Sequence, residues 1–177
     1  MSKSNAGGAL EKALEAMRAG KDLSGRQRRL VKEAAEGMID NFMRSVGFDD
    51  PSAFTNDLGV RALTFGSAEG VAFVEEYEKV LYLHAEAIVM PVPSDHELIL
   101  PLYRELLELN LDIPGTCRFA VRQDMVVVVA TEELAVIRDD SDFARHIHMV
   151  MTYTDAMDND LVKRYGGTAR KRPARRR

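Results

Sequence analysis

The chain has 177 residues, of which 46% are hydrophobic, and its formal net charge is −4. This length and hydrophobic content favour one folded domain with appendages and exclude wholesale disorder. No apolar run reaches the roughly 20 residues that a membrane-spanning helix needs, and the single cysteine, Cys117, excludes an intramolecular disulfide.

The N-terminus and the cysteine content also bear on the cellular compartment. The first residues, MSKSNAGGALEK, lack the apolar core of a secretory signal. A single cysteine is typical of a reducing compartment. We therefore expect a bacterial-type cytoplasmic protein.

Two amphipathic helices are predicted at the start of the chain. Apolar residues recur at helical spacing from Leu10 to Met17. A second helix is expected to begin at Ser24, because SGRQ has the form of a capping box, and to end at Gly47. Pro51 then ends the helical segment.

Three strands and a helix are predicted next. Apolar and polar residues alternate with a period of two from Val60, and we expect strands at about 60–65, 70–76 and 79–91. The sequence SDHE at 94–97 has the form of a capping box and predicts a helix to about Asn110. Pro101 lies within this segment, so the helix either starts nearer Leu100 or is kinked there.

Two more strands and a last helix follow. Strands are expected at about 116–122 and 125–131, with a turn at Gln123-Asp124. The continuous apolar run MVVVVA predicts a strand that is covered on both faces. The last helix is expected to begin near Ser141 and to end at Gly166-Gly167, and the basic C-terminal residues follow.

These elements predict an α+β fold, in which an antiparallel sheet has helices packed on it. The expected order is an N-terminal helical pair, three strands, a helix, two strands and a last helix. The predicted division is a helical extension at 1–50, an α+β domain at 51–167 and a basic disordered tail at 168–177.

The charges are unevenly distributed between the body and the tail. The last eight residues, RKRPARRR, contain six cations, and without them 18 basic residues remain against 28 acidic ones. Six clustered cations can bind phosphate groups or an acidic partner, although no aromatic residue among them suits base stacking. A disordered tail that aids solubility or docks on the acidic body is an equal alternative. The candidate contacts are Arg170, Lys171, Arg172, Arg175, Arg176 and Arg177.

No strong chemical motif is present in the sequence. Ser67 does not lie in a G-x-S-x-G elbow and is expected to be a turn residue. His146 and His148 are two residues apart on a predicted helix and point to different faces, which disfavours a metal pair. Cys117 is expected to be a partly buried structural thiol. The segment from Asp155 does not match a calcium-binding loop, so its acidic residues are expected to form a solvated face.

Residues 58–167 resemble the YbjN family, whose domain shares the fold of type III secretion chaperones. The family pattern is a strand that ends in proline, a helix that ends in Leu-Asn, a strand with Arg-Phe, a valine-rich strand and a final Asp-rich helix. The corresponding segments here are PVPSDHELILPLYRELLELNLDIPGTCRFAVRQDMVVVVA and DDSDFARHIHMVMTYTDAMDNDLVKRYGG.

The resemblance implies a domain without a catalytic centre that binds other proteins and is often dimeric. In the secretion chaperones, dimers form through the helix between the third and fourth strands. On this sequence that helix is at about 98–110, and the candidate interface residues are Leu102, Tyr103, Leu106 and Leu107. The alternative is that these four residues belong to the core.

We therefore expect a non-catalytic, chaperone- or adaptor-like module that binds a protein partner as a homodimer. It is expected to use no metal and no cofactor. The alternative is a tether that binds nucleic acid or an acidic surface through its basic tail, and the basic segment Arg26–Lys32 could contribute to that binding.

Overall fold

The structure is a computed structural model that describes residues 3–113 and 115–166. Two helices and a short 3₁₀ helix precede a series of five strands and two further helices. The elements are α1 (Lys3–Arg18), α2 (Gly25–Ser45), the 3₁₀ helix (Pro51–Phe54), β1 (Arg61–Phe65), β2 (Ala68–Tyr77), β3 (Val80–Pro91), α3 (His96–Asp112), β4 (Arg118–Arg122), β5 (Met125–Glu133) and α4 (Asp140–Tyr165). This order confirms the predicted α+β class.

The five strands form one antiparallel sheet in the order β1-β2-β3-β5-β4, so β1 and β4 are its edges. Both residues of the turn between β4 and β5, Gln123 and Asp124, have positive φ angles of 50° and 60°. The turn between β2 and β3 has the same character, with φ angles of 48° at Glu78 and 69° at Lys79. Turns with two positive φ angles suit the twist of a hairpin.

The inner strands have the burial that their sequences predict. In β3, every second residue from Leu81 to Val89 is buried, including Leu83 and Ala85. In β5, three consecutive residues from Val126 to Val128 are buried, so both faces of this strand are covered. The prediction from the apolar run MVVVVA is therefore confirmed.

Residue contacts divide the chain into two compact units. One unit comprises 1–61, 72–84 and 131–145. Within it α1 packs against α2. Ser24 caps α2 as predicted, because its Oγ accepts from the Gln27 amide at 3.4 Å and its own amide donates to Gln27 Oε1 at 2.9 Å. The buried side chains of this first unit include Ala13, Val31, Ala35, Ile39, Met43, Leu83 and Phe143.

The other unit comprises 62–71, 85–130 and 146–177, of which the described part ends at 166. Within it α3 packs against β4. Its buried side chains include Leu63, Met90, Leu102, Leu106, Phe119, Val127, Ile147, Val150 and Leu161.

Helix α3 begins one residue later than its capping motif predicts. Asp95 rather than Ser94 is the N-cap, and its Oδ1 accepts from the Glu97 amide at 2.9 Å. The helix begins at His96 and includes Pro101, so the predicted start nearer Leu100 is wrong. Pro101 has no N–H for the carbonyl four residues earlier, and the helix continues past it to Asp112.

Candidate functional site

Helix α3 places the four predicted interface residues in two environments. Leu102 and Leu106 are 0% and 4% exposed and belong to the core of their unit. Tyr103 and Leu107 are 36% and 68% exposed. Because the two pairs lie on different sides of one helix, only Tyr103 and Leu107 present side-chain surface to a partner.

An apolar stripe runs along the exposed side of α3. Leu100 and Leu111, which are not among the predicted interface residues, are 76% and 85% exposed. Together with Tyr103 and Leu107 they are spaced by three, four and four residues, so they lie on one face of the helix. We call these four residues, Leu100, Tyr103, Leu107 and Leu111, the α3 stripe.

The end of α4 fixes one side of α3 through Glu105. Tyr165 Oη donates to Glu105 Oε2 at 2.5 Å, and Arg164 forms an ion pair with the same carboxylate. The hydrogen bond to Glu105 raises the pKa of the Tyr165 hydroxyl, because the carboxylate accepts the proton that ionisation would remove. These contacts leave the α3 stripe exposed.

The C-terminal part of α3 is joined to β4 through one side chain. Asn110 Oδ1 accepts from the Phe119 amide at 2.7 Å, and Asn110 Nδ2 donates to the Phe119 carbonyl at 3.1 Å. The two bonds tie α3 to the backbone of the edge strand. The sequence pattern indicates only a helix end at Asn110, because the partner of its side chain lies in another element.

Cys117 and the histidines have packing and hydrogen-bonding roles. Cys117 is 1% exposed, and burial raises the pKa of its thiol from 9.0 to about 11, so the nucleophilic thiolate is disfavoured at neutral pH. His146 is buried with Nδ1 3.1 Å from Thr116 Oγ1. His148 is exposed, and its ring contacts Phe65. The prediction that the two histidines point to different faces is confirmed.

Ser67 is a turn residue, as predicted, but two acidic residues of α4 bind it. Its Oγ lies 2.8 Å from Asp155 Oδ1 and 2.6 Å from Asp158 Oδ2. Its amide donates to Asp155 Oδ1 at 2.5 Å. The expectation of a solvated acidic face is therefore wrong for Asp155 and Asp158, which bind the turn between β1 and β2.

The six basic residues of the predicted tail, Arg170, Lys171, Arg172, Arg175, Arg176 and Arg177, lie outside the described residues. In the basic segment of α2, Arg28 Nε lies 2.8 Å from Glu76 Oε1. Arg26 and Arg29 are exposed.

Two searches of the described residues bear on metals and membranes. Between residues 3 and 166, apart from 114, no group of three or more acidic, histidine or cysteine side chains is arranged to hold a metal ion. Over the same part of the chain, no helix has the length and apolar character to cross a membrane.

The fold of this protein is similar to that of several solved structures. No protein-family profile matches the sequence, and no curated protein matches it significantly. The crystal structure of the ExsC–ExsE complex contains a similar chain, with a TM-score of 0.54 and 15% identity over 72% of this chain and 93% of that one.

Two other structures have lower scores. One is the heterodimeric ExoU–SpcU complex from the type III secretion system of Pseudomonas aeruginosa, with a TM-score of 0.45 and 23% identity over 68% of this chain and 95% of that one. The other is YbjN, described as a putative transcription regulator from E. coli, with a TM-score of 0.42 and 12% identity over 71% and 92% of the two chains. The likeness to the chain of the ExsC–ExsE complex is one of fold, and this protein shares the fold of that chain.

Proposed function

We propose that this protein is a non-catalytic, chaperone- or adaptor-like module that binds a protein partner and forms a homodimer through the α3 stripe. The observation that carries the proposal is the exposure of this stripe. Three leucines and one tyrosine share one side of a helix whose opposite side is buried. A contiguous exposed apolar surface of this kind marks an interaction site.

A second copy of the chain is the occupant that suits the stripe best. In a two-fold dimer the same surface lies on both sides of the interface, so an apolar stripe is complementary to itself. The charges beside the stripe fit this arrangement, because Arg104 and Glu108 form an exposed ion pair on one flank of α3. In an antiparallel pair of α3 helices, Arg104 of one copy would face Glu108 of the other.

The two buried leucines have a supporting role in this proposal. Leu102 and Leu106 hold α3 on the core, and the stripe makes the contact with the second copy. A substitution at Leu102 would therefore disturb folding before it tested dimer formation. Tyr103 and Leu107 are the members of the predicted set that test the interface directly.

The proposal predicts that Leu107→Glu weakens dimer formation by about 30-fold or more. A charge at the centre of an apolar interface loses burial and adds an unpaired carboxylate, which is the behaviour of an interface hot spot. Sedimentation velocity over a concentration series measures the effect.

Leu58→Glu is the matched control for this substitution. Leu58 is 82% exposed, lies outside α3, and receives the same charge, so the control should have the mass of the unaltered protein. An unaltered protein that is monomeric at all concentrations, or a Leu107→Glu variant that dimerises normally, would contradict the proposal.

Protein binding has support from the fold. The similar chain in the ExsC–ExsE structure is part of a complex of two proteins. We extend this role to the present chain as a cytoplasmic module, with residues 1–50 as a helical extension, 51–167 as the binding domain and 168–177 as a tail.

The alternative function is tethering to nucleic acid or an acidic surface through the tail. The six cations among the last eight residues favour it. It predicts binding that falls steeply with salt and that disappears when the tail is removed. The fluorescence anisotropy of a labelled DNA duplex, measured between low and high salt, tests this alternative.

A further inference from the structure

The register of strand β4 defines which residues face its outer edge. This strand is the last strand of the sheet, and it pairs with β5 so that Phe119 lies opposite Val128 and Val121 lies opposite Val126. In an antiparallel pair, alternate residues direct their N–H and C=O groups away from the partner strand. Because Asn110 contacts both backbone groups of Phe119, Phe119 is such a residue, and so is Val121, two positions later.

The amide of Asn110 occupies the place of a neighbouring strand at Phe119. A carboxamide has one carbonyl and one NH₂ group, so it can accept and donate as a peptide group does. The distances of 2.7 Å to the Phe119 nitrogen and 3.1 Å to its oxygen are those of ordinary hydrogen bonds. Phe119 is 6% exposed, so its backbone groups need such partners.

We propose that Asn110 closes the outer edge of β4 against the addition of a strand from a second copy of the chain. An open edge pairs readily with the edge of another molecule. A second copy's β4 cannot add here without breaking both bonds to Asn110. This inference extends the proposed function, on which it depends only for the role of α3.

Hydrogen exchange tests the closure in the unaltered chain. The Phe119 amide should exchange about tenfold or more slowly than the Val121 amide, because within residues 3–113 and 115–166 only the Phe119 amide has a hydrogen-bond acceptor on the outer edge. Equal exchange at the two amides would overturn the proposal, and this measurement needs no variant that might fail to fold.

Three variants test whether loss of the Asn110 bonds allows strand pairing at β4 when pairing through α3 has been removed. Leu107→Glu alone should be monomeric, and adding Asn110→Ala should produce concentration-dependent association together with slowed exchange at Val121. Adding Val121→Pro as a third change should reverse this association, because proline removes the outward N–H that strand pairing uses.

The outcomes separate this inference from the proposed function. If the double variant stays monomeric and its Val121 amide exchanges fast, Asn110 does not restrict pairing and the inference fails. If Leu107→Glu has the same mass as the unaltered protein, the role of α3 fails, while the effect of Asn110→Ala in the unaltered background still decides the inference.

Discussion

At the scale of single residues, one polar constraint is a cation that the chain buries. Arg61 is 6% exposed. Its Nε donates to Asp40 Oδ1 at 3.0 Å, and its Nη1 donates to the Gly59 carbonyl at 2.6 Å. The three groups come from α2, the start of β1 and the loop between them. This arrangement ties the second helix to the first strand of the sheet.

Arg61→Ala is expected to destabilise the protein by about 3 kcal/mol or more, because it leaves Asp40 without its cation and removes the donor from the half-buried Gly59 carbonyl. Urea unfolding, followed by circular dichroism, measures the loss. The control is Arg44→Ala, since Arg44 is exposed and donates to Asn41 Oδ1. The control should change stability by about 0.5 kcal/mol or less. Equal effects of the two substitutions would contradict the role of Arg61.

The thiol of Cys117 gives a prediction about pH. Burial raises its pKa from 9.0 to about 11, so the folded chain keeps a proton that the unfolded chain loses between these values. The stability that this group contributes is therefore present below pH 9 and is lost as the pH rises to about 11. Comparison of the unfolding of the unaltered chain with that of Cys117→Ala across this range isolates the effect. The thiol should also react slowly with iodoacetamide at pH 8 until urea unfolds the protein.

At the scale of secondary structure, local sequence predicted those features whose cause is local. The Ser24 capping box and the turn at Gln123-Asp124 depend on residues within a few positions, and both are confirmed. The predicted strands at 70–76 and 79–91 place a break at 77–78, and the turn lies one residue later, at Glu78-Lys79. Its positive φ angles are not predicted, because neither residue is a usual former of such turns. The start of α3 was misplaced by one residue, because Ser94 and Asp95 are both good caps.

A pair of glycines tests how closely the elements pack. A Cβ on Gly70 of β2 would lie 2.9 Å from the Ala87 Cβ and 3.0 Å from Met151 Sδ, and it would also collide with the Glu86 carbonyl. Gly70→Ala is therefore expected to destabilise the protein by about 1–3 kcal/mol. Gly37 of α2 has no such neighbour within 4 Å, so Gly37→Ala should stabilise by up to about 1 kcal/mol. Thermal unfolding of both variants tests the two opposite signs.

At the scale of the whole molecule, the sequence was more informative about the fold than about the site. The periodicities predicted the order of helices and strands, because burial imposes a period of two on strands and of 3.6 on helices. The wide apolar face of α3 concealed which leucines are exposed. Leu102 and Leu106 could be separated from Leu107 only when the core beneath the helix was known.

Contacts between distant residues account for the rest of what the sequence did not show. Asn110 lies nine positions from Phe119, and Ser67 lies 88 and 91 positions from the two carboxylates that bind it. No periodicity or capping rule connects such residues. Asn110 at the edge of β4 and the acidic pair at Ser67 therefore emerged only from the structure.

The central claim is that the folded domain, rather than the basic tail, binds a protein partner. The most direct test is cross-linked capture from a lysate of the source organism, with the full chain and with a variant that ends at residue 168. Each form is used with and without nuclease, and Leu58→Glu and Leu107→Glu are compared in parallel. We predict that one protein partner is recovered with both chain lengths and after nuclease treatment. Recovery that disappears with the tail or after nuclease would contradict the claim and would identify the tail as the binding segment.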